Sequence, residues 1–245
     1  MDPHDDSVPA VSAPPPSAPG VRPGAPSQTL SRALTMLELV ADRPTPPSIA
    51  ELADDLGVHR SVAYRMLRTF EVHGLLRRDA AGLVHGAPGL VTLAGGVEQD
   101  LRAAAVTELS RVSDALAMTA FLVVWDGRDC LTLATVEPPR GNLVTQRPGT
   151  RHPLGVGAPG IAIASVLPAE GQDRPAVREA RARGWAASRD EVITGVGSVA
   201  APVPAAAGMP AALAVVFTSP AVDEEAVGAE LAAAARRLGA VLGEG

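Results

Sequence analysis

Ser48-Ile49-Ala50-Glu51-Leu52-Ala53-Asp54-Asp55-Leu56-Gly57-Val58-His59-Arg60-Ser61-Val62-Ala63-Tyr64-Arg65-Met66-Leu67-Arg68 reads as two helices separated by a tight turn. Ser48 and Glu51 have the spacing of a capping box, in which each side chain satisfies an orphan amide of the other. Ile49, Leu52, Ala53 and Leu56 supply the buried stripe of a short helix, and Gly57 ends it. The next helix, about 60–73, divides by face. Val62, Ala63, Met66, Leu67 and Phe70 point one way, and Ser61, Tyr64, Arg65 and Arg68 the other.

Working outward, the segment 28–41 places Leu30, Leu34, Leu37 and Val40 on one helical face, with Ser27 as N-cap and the proline run at 44–47 as its stop. Downstream of Gly74, Leu75-Leu76-Arg77-Arg78 and Leu83-Val84-His85 read as strands joined by Asp79-Ala80-Ala81-Gly82. Helix, short helix, turn, helix and hairpin form a winged helix-turn-helix, which lays its last helix in the DNA major groove and its wing on the backbone. Between residues 60 and 78 five arginines, Arg60, Arg65, Arg68, Arg77 and Arg78, stand against the single acid Glu71, a local net charge of +4. The expected DNA contacts are these five and Ser61 and Tyr64, with Arg77 and Arg78 on phosphates.

The whole chain has 245 residues and a formal charge of −6, so any nucleic-acid surface must be a local cluster. All 21 basic residues are arginine. Residues 1–26 hold eight prolines and few large apolar side chains, the composition of a disordered tail. The single Cys130 excludes an internal disulfide framework and thiolate clusters. No stretch is long and apolar enough for a membrane span and the start lacks a signal-peptide pattern, so a cytoplasmic protein is expected.

From Pro88 a linker helix region is expected to run to about residue 116, kinked at Gly95-Gly96. Strands at 118–125 and 130–136 flank the turn Asp126-Gly127-Arg128-Asp129, and 143–146 reads as a third strand. Helices at 158–167, 175–183 and 223–242, with strands near 199–203 and 212–217, complete an α+β domain. The expected organisation is a tail (1–26), a winged helix-turn-helix (27–86), a linker (87–116) and a sensor domain (117–245).

Several runs resemble the IclR-type bacterial regulators: Ser31-Arg32-Ala33-Leu34, the Ile49–Ala53 and Leu56-Gly57 pieces, Ser61–Leu67, and Gly74–Asp79. Further along, Gly149, Pro153-Leu154, Ala158 and Gly160 look like the family's ligand-domain loop. Arg183-Gly184-Trp185-Ala186, Asp190-Glu191, Gly195-Val196 and Ala200-Ala201-Pro202-Val203 look like its second motif. The resemblance spans about 27–242. It implies a homodimer or tetramer, acting as repressor or activator, with a GAF-like antiparallel-sheet domain that binds a small organic effector. Carried over by position, effector contacts fall at Gly155, Val156, Gly157, Ala158, Ser188, Asp190, Ser198, Ala214 and Val216. Ala214 and Val216 stand where some members carry hydroxyls, which implies a largely apolar or aromatic effector. This chain departs from the family at Pro159 and Ile161 and in the wing at Val84-His85-Gly86.

Asp190 and Glu191 are adjacent and diverge on any one element, and His152 beside Pro153 reads as part of a turn. No serine elbow, phosphate-cradling glycine loop or metal-ligand cluster is present, so no enzyme activity, cofactor or metal is expected. Two rival readings stay open: a protein-interaction module whose winged helix docks a partner, and an enzyme acting on a small acid.

Overall fold

The computed structural model describes residues 27–140, 144–169, 174–204, 209–218 and 221–243, so the expected tail at 1–26 lies outside the described residues. The chain divides into two compact units at Ala94 and Gly95.

The first unit begins with α1 (Gln28–Asp42), capped by Ser27, whose hydroxyl accepts from the Leu30 amide at 3.4 Å. Its inward stripe is Ala33, Met36, Leu37 and Val40. Leu30 and Leu34, expected on that stripe, are instead at least half exposed, because the buried face is centred on Met36. The capping box at α2 (Ile49–Asp55) is complete, with the Ser48 amide donating to Glu51 Oε2 at 2.7 Å and the Glu51 amide to Ser48 Oγ at 3.3 Å. Helix α3 (Arg60–Val72) buries Ala63, Met66, Leu67 and Phe70 against Met36, Ile49, Leu52 and Ala53. Each large side chain in that cluster contributes roughly 1.5–3 kcal/mol of transfer free energy. Strands β1 (Leu76–Arg78) and β2 (Val84–Gly86) form the antiparallel wing, which Leu83 extends by bridging back to Ser48. Helix α4 is Gly89–Gly95.

The second unit opens with α5 (Gln99–Leu116), preceded by Glu98 in left-handed backbone at φ 44°. The helical region expected at 87–116, in two pieces with a kink at Gly95-Gly96 between them, is the two helices α4 and α5, separated by residues 96–98. Moreover α5 is built into the second unit's core through Leu101, Ala105, Leu109 and Val112. Strands β3 (Thr119–Trp125) and β4 (Asp129–Val136) form the hairpin read from the Asp/Gly turn. Then come β5 (Arg151–Pro153), α6 (Gly157–Val166), α7 (Pro175–Arg183), β6 (Ala186–Arg189), β7 (Gly197–Pro202), β8 (Ala211–Phe217) and α8 (Glu224–Gly243).

The six strands make one antiparallel sheet in the order β5-β4-β3-β8-β7-β6. Helices cover both faces. On β8, Leu213, Val215 and Phe217 pack towards α5 and α8, while Ala212, Ala214 and Val216 pack towards α6 and α7. Glu108 on α5 is nearly buried and joins Arg111 at 2.7 Å and Arg237 of α8 at 2.9 Å. Helix α8 approaches Trp185 so closely that a β-carbon on Gly228 would lie 2.2 Å from the indole.

Of the strand expected at 143–146, the described residues 144–146 form none. Leu143 lies outside the described residues, and 144–146 is irregular. Pro148, which has no amide to donate, precedes the real edge: Gly149 donates to the Thr132 carbonyl, Thr132 to that of Thr150, and β5 continues the pairing through His152 opposite Cys130. Among the described residues no helix is long and apolar enough to cross a membrane.

Candidate functional site

Two surfaces concentrate the chemistry. The first belongs to α3 and the wing. His59 caps α3, its Nδ1 accepting from the Ser61 amide at 3.3 Å and lying 2.9 Å from the Ser61 hydroxyl. The outward face then carries Arg60, Ser61, Tyr64, Arg65 and Arg68, all exposed, with Arg77 exposed on β1. Among the described residues the guanidinium groups of Arg60, Arg65, Arg68 and Arg77 have no hydrogen-bond or ion-pair partner. Arg78 differs: its Nε donates to Glu71 at 2.8 Å, and its guanidinium lies 5.8 Å from the Tyr64 ring centre. The wing turn is tied by Asp79, which accepts from the Ala81 and Leu83 amides and pairs with His85 Nε2 at 2.8 Å. The hydrogen bond with His85 is the main reason the Asp79 carboxyl sits below the usual range.

The second surface is a cavity in the second unit, about 540 Å³ counting its open mouth, between the sheet and the start of α6. Its apolar wall is Phe121 of β3, Val216 of β8, Pro159 of α6 and the loop residues Val192, Ile193 and Val196. Gly160 lets the loop before α6 close tightly, since a β-carbon there would meet the Pro153 carbonyl at 2.9 Å. The first amides of α6 point to this region and have partners. Gly157 donates to Glu191 Oε2 at 2.8 Å, and Ala158 donates to Ser188 Oγ at 2.8 Å and Ser198 Oγ at 3.3 Å. The two serines face each other across the β6–β7 pairing, hydroxyl to hydroxyl at 3.0 Å. Arg174 holds Glu191 from the other side at 2.8 Å, the chief cause of its lowered carboxyl pKa, and also donates to the Gly155 carbonyl. His152 reaches the cavity from β5, nine-tenths buried, with burial depressing its pKa.

Two family models match the chain: the IclR helix-turn-helix domain over residues 29–80 and the bacterial transcriptional regulator IclR C-terminal domain over 174–240. The chain belongs to the IclR family. As an IclR-family transcriptional regulator it joins a helix-turn-helix DNA-binding domain to a C-terminal effector domain. It is similar to the glycerol operon regulatory protein of Streptomyces griseus, 29% identical over 200 residues that span 72% of this chain and 78% of that one. The fold matches an IclR transcriptional regulator from Alicyclobacillus acidocaldarius with TM-score 0.77 at 21% identity, covering 89% of this chain and 100% of that one. An IclR homologue from Microbacterium hydrocarbonoxydans, complexed with 4-hydroxybenzoate, matches with TM-score 0.76, also at 21% identity and over 89% of this chain and 100% of that one.

Within this IclR-type framework, Gly157, Ser188, Ser198 and Val216 of the expected effector set line the cavity, and Ala158 adjoins it through the two serines. Gly155, Val156, Asp190 and Ala214 are not part of its wall. Asp190 takes left-handed backbone at φ 60° and turns its carboxylate to the Gly195 amide, bracing the loop rather than facing the cavity. Ala214 is fully buried beneath α6. Outside the expected set, Phe121, Gln146, Thr150, His152, Pro159, Glu191 and the loop residues 192, 193 and 196 also line the cavity. His152, which beside Pro153 reads as part of a turn, lies in an edge strand, and Glu191, which falls in the family's second motif, is not among the effector contacts that the resemblance carries over. For Gln146 and Thr150, which lie on irregular chain, no periodic signal exists.

Proposed function

We propose that this IclR-type regulator is a cytoplasmic homodimer whose two α3 helices read half-sites on promoter DNA, and whose cavity takes a small, largely apolar effector that changes DNA affinity. One observation carries the reading: the exposed side of α3 and β1 holds four arginines with no intramolecular partner among the described residues. Leaving such a cluster unneutralised costs self-repulsion, which a polyanion relieves. Arg65 and Arg68, one turn apart at the centre of the helix face, are assigned to base edges, along with Ser61 and Tyr64. Arg60 and Arg77 are assigned to phosphates. The 4-hydroxybenzoate held by the structural neighbour supports an effector of that size. Coupling requires only that the effector bind the DNA-competent and DNA-incompetent forms with different affinity.

The test is binding of the full chain to its own upstream DNA, by footprinting and by titration across salt. Arg65→Ala should cost about 1–3 kcal/mol at the cognate site and relax discrimination at one base pair. Undiminished discrimination in that variant, or indifference to duplex DNA at low salt, would overturn the assignment.

A further inference from the structure

We infer that the effector of this cavity is a neutral hydroxyl compound, an alcohol or phenol on a ring-sized apolar body, whose hydroxyl donates to His152 Nε2. This rests on the effector reading above and names the ligand class for it.

His152 Nδ1 lies 3.2 Å from the Pro153 carbonyl oxygen. A carbonyl can only accept, so Nδ1 carries the ring proton and Nε2 presents a bare lone pair. That Nε2 is buried in the cavity wall with no partner among the described residues. Burial also disfavours the imidazolium, keeping the acceptor unprotonated. An unpaired buried acceptor is a standing energetic cost that a ligand's O–H removes.

The start of α6 argues against a carboxylate. Free amides at a helix N-terminus attract anions, but here the Gly157 amide already holds the Glu191 carboxylate, and the Ala158 amide the serine pair. An incoming carboxylate would have to displace Glu191 and then lie beside it, like charge against like charge. An ammonium ligand gains little either, because Arg174 already neutralises Glu191. The serine pair supplies the complementary group. Ser188 and Ser198 carry two hydroxyl protons, one of which spans the 3.0 Å between them, while the Ala158 amide donates to their oxygens. One O–H is left to donate to a ligand oxygen. Of the wall's other polar groups, Gln146 donates to Thr132, Thr150 to the Arg147 carbonyl, and Glu191 is held by Arg174, so the buried acceptor without a partner is His152 Nε2 and the spare hydroxyl proton is that of the serine pair, a donor and acceptor set that suits ligand hydroxyls.

The probes are p-cresol, p-toluate, 4-methylbenzylamine and toluene, titrated calorimetrically into the full-length protein. p-Cresol should bind about tenfold or more tighter than each of the others. His152→Phe should lower p-cresol affinity to that of toluene. Glu191→Gln should raise p-toluate affinity relative to that of p-cresol by about tenfold. Because His152→Phe could fold poorly, the ¹⁵N resonance of Nε2 is followed in the unsubstituted protein: it should shift with p-cresol and stay with toluene. If p-toluate binds as tightly as p-cresol in the cavity, or Nε2 does not respond, the hydroxyl assignment is overturned and the cavity's effector role stands. If no probe occupies the cavity or alters DNA binding, both fall.

Discussion

Arg78 Nε donates to Glu71 Oε1 at 2.8 Å, so the second arginine of the wing is committed to α3, while its neighbour Arg77 is not. The two side chains are adjacent in sequence and alike in charge, yet of the two only Arg77 is left as an uncompensated cation. Each phosphate neutralised releases counterions and steepens the salt dependence. Arg77→Ala should therefore reduce the log–log salt slope by about one while lowering affinity for all sequences alike. Arg78→Ala should change the slope by less, and Glu71→Gln, which frees Arg78, should steepen it. Affinity titrations between low and moderate salt check all three, and equal slope changes for Arg77→Ala and Arg78→Ala would contradict the pairing.

Asp126 organises the β3–β4 turn: Oδ1 accepts from the Arg128 and Asp129 amides at 2.9 Å each, and Oδ2 from Arg151 at 2.8 Å. These bonds, the Asp129 amide foremost, pull its pKa down to about 2. Since the unfolded value is near 4, the charged form stabilises the fold fully above about pH 4, and that contribution is lost as pH falls through about 2. After allowance for solvent screening the contribution is on the order of 1 kcal/mol. Asp126→Asn should flatten the acid limb of stability between those pH values. Urea midpoints measured at successive pH values check this, and parallel acid limbs for the two proteins would count against it.

How far the fold was legible depends on how each element is buried. Helices α2 and α3 could be read residue by residue because each has one wet face: Ser48, Glu51, Gly57 and the Ala63–Phe70 stripe each have a local physical job, whereas in α1 the buried face is centred on Met36 and leaves Leu30 and Leu34 outside it. In the second unit the central strands are covered on both sides, so Thr119–Trp125 and Ala211–Phe217 are apolar runs without alternation. Their existence was readable, but which residue faced the cavity was not. The cavity itself is assembled from β3, β5, α6 and the loop after β6, brought together by pairings far apart in sequence. The family resemblance located the α6 loop and the serine pair. It could not show that Glu191 turns back onto the Gly157 amide or that His152 faces inward.

Gly228 gives a prediction whose sign runs against propensity. In an exposed helix Gly→Ala adds roughly 0.5–1 kcal/mol of stability. Here the new β-carbon would fall 2.2 Å from Trp185 Cδ2 and 2.5 Å from Cε2, in a rigid ring that is itself buried. Gly228→Ala should therefore destabilise by about 1–3 kcal/mol, as overpacked cores do. Urea unfolding followed by tryptophan fluorescence reads it, and an unchanged or raised midpoint would mean that α8 can move away from Trp185 at little cost.

Cys130 is the chain's one cysteine and is fully buried on β4, in the same apolar cluster as the cavity residues Phe121 and Val216. Burial, helped by the nearby carboxylates of Asp129 and Asp126, pushes its thiol up to about 12. Only a thiolate attacks a disulfide reagent, so at pH 8 the folded protein should be nearly inert to Ellman's reagent and should release one equivalent in denaturing urea. Labelling in native buffer then proceeds through opening of the second unit. A ligand that occupies the cavity stabilises the closed form by RT ln(1 + [L]/Kd). At ligand concentrations near 100 Kd the labelling rate should accordingly fall about a hundredfold. Rapid stoichiometric labelling of the native protein would show that Cys130 is not shielded by the sheet. A rate indifferent to a ligand that demonstrably binds would place that ligand outside this cluster.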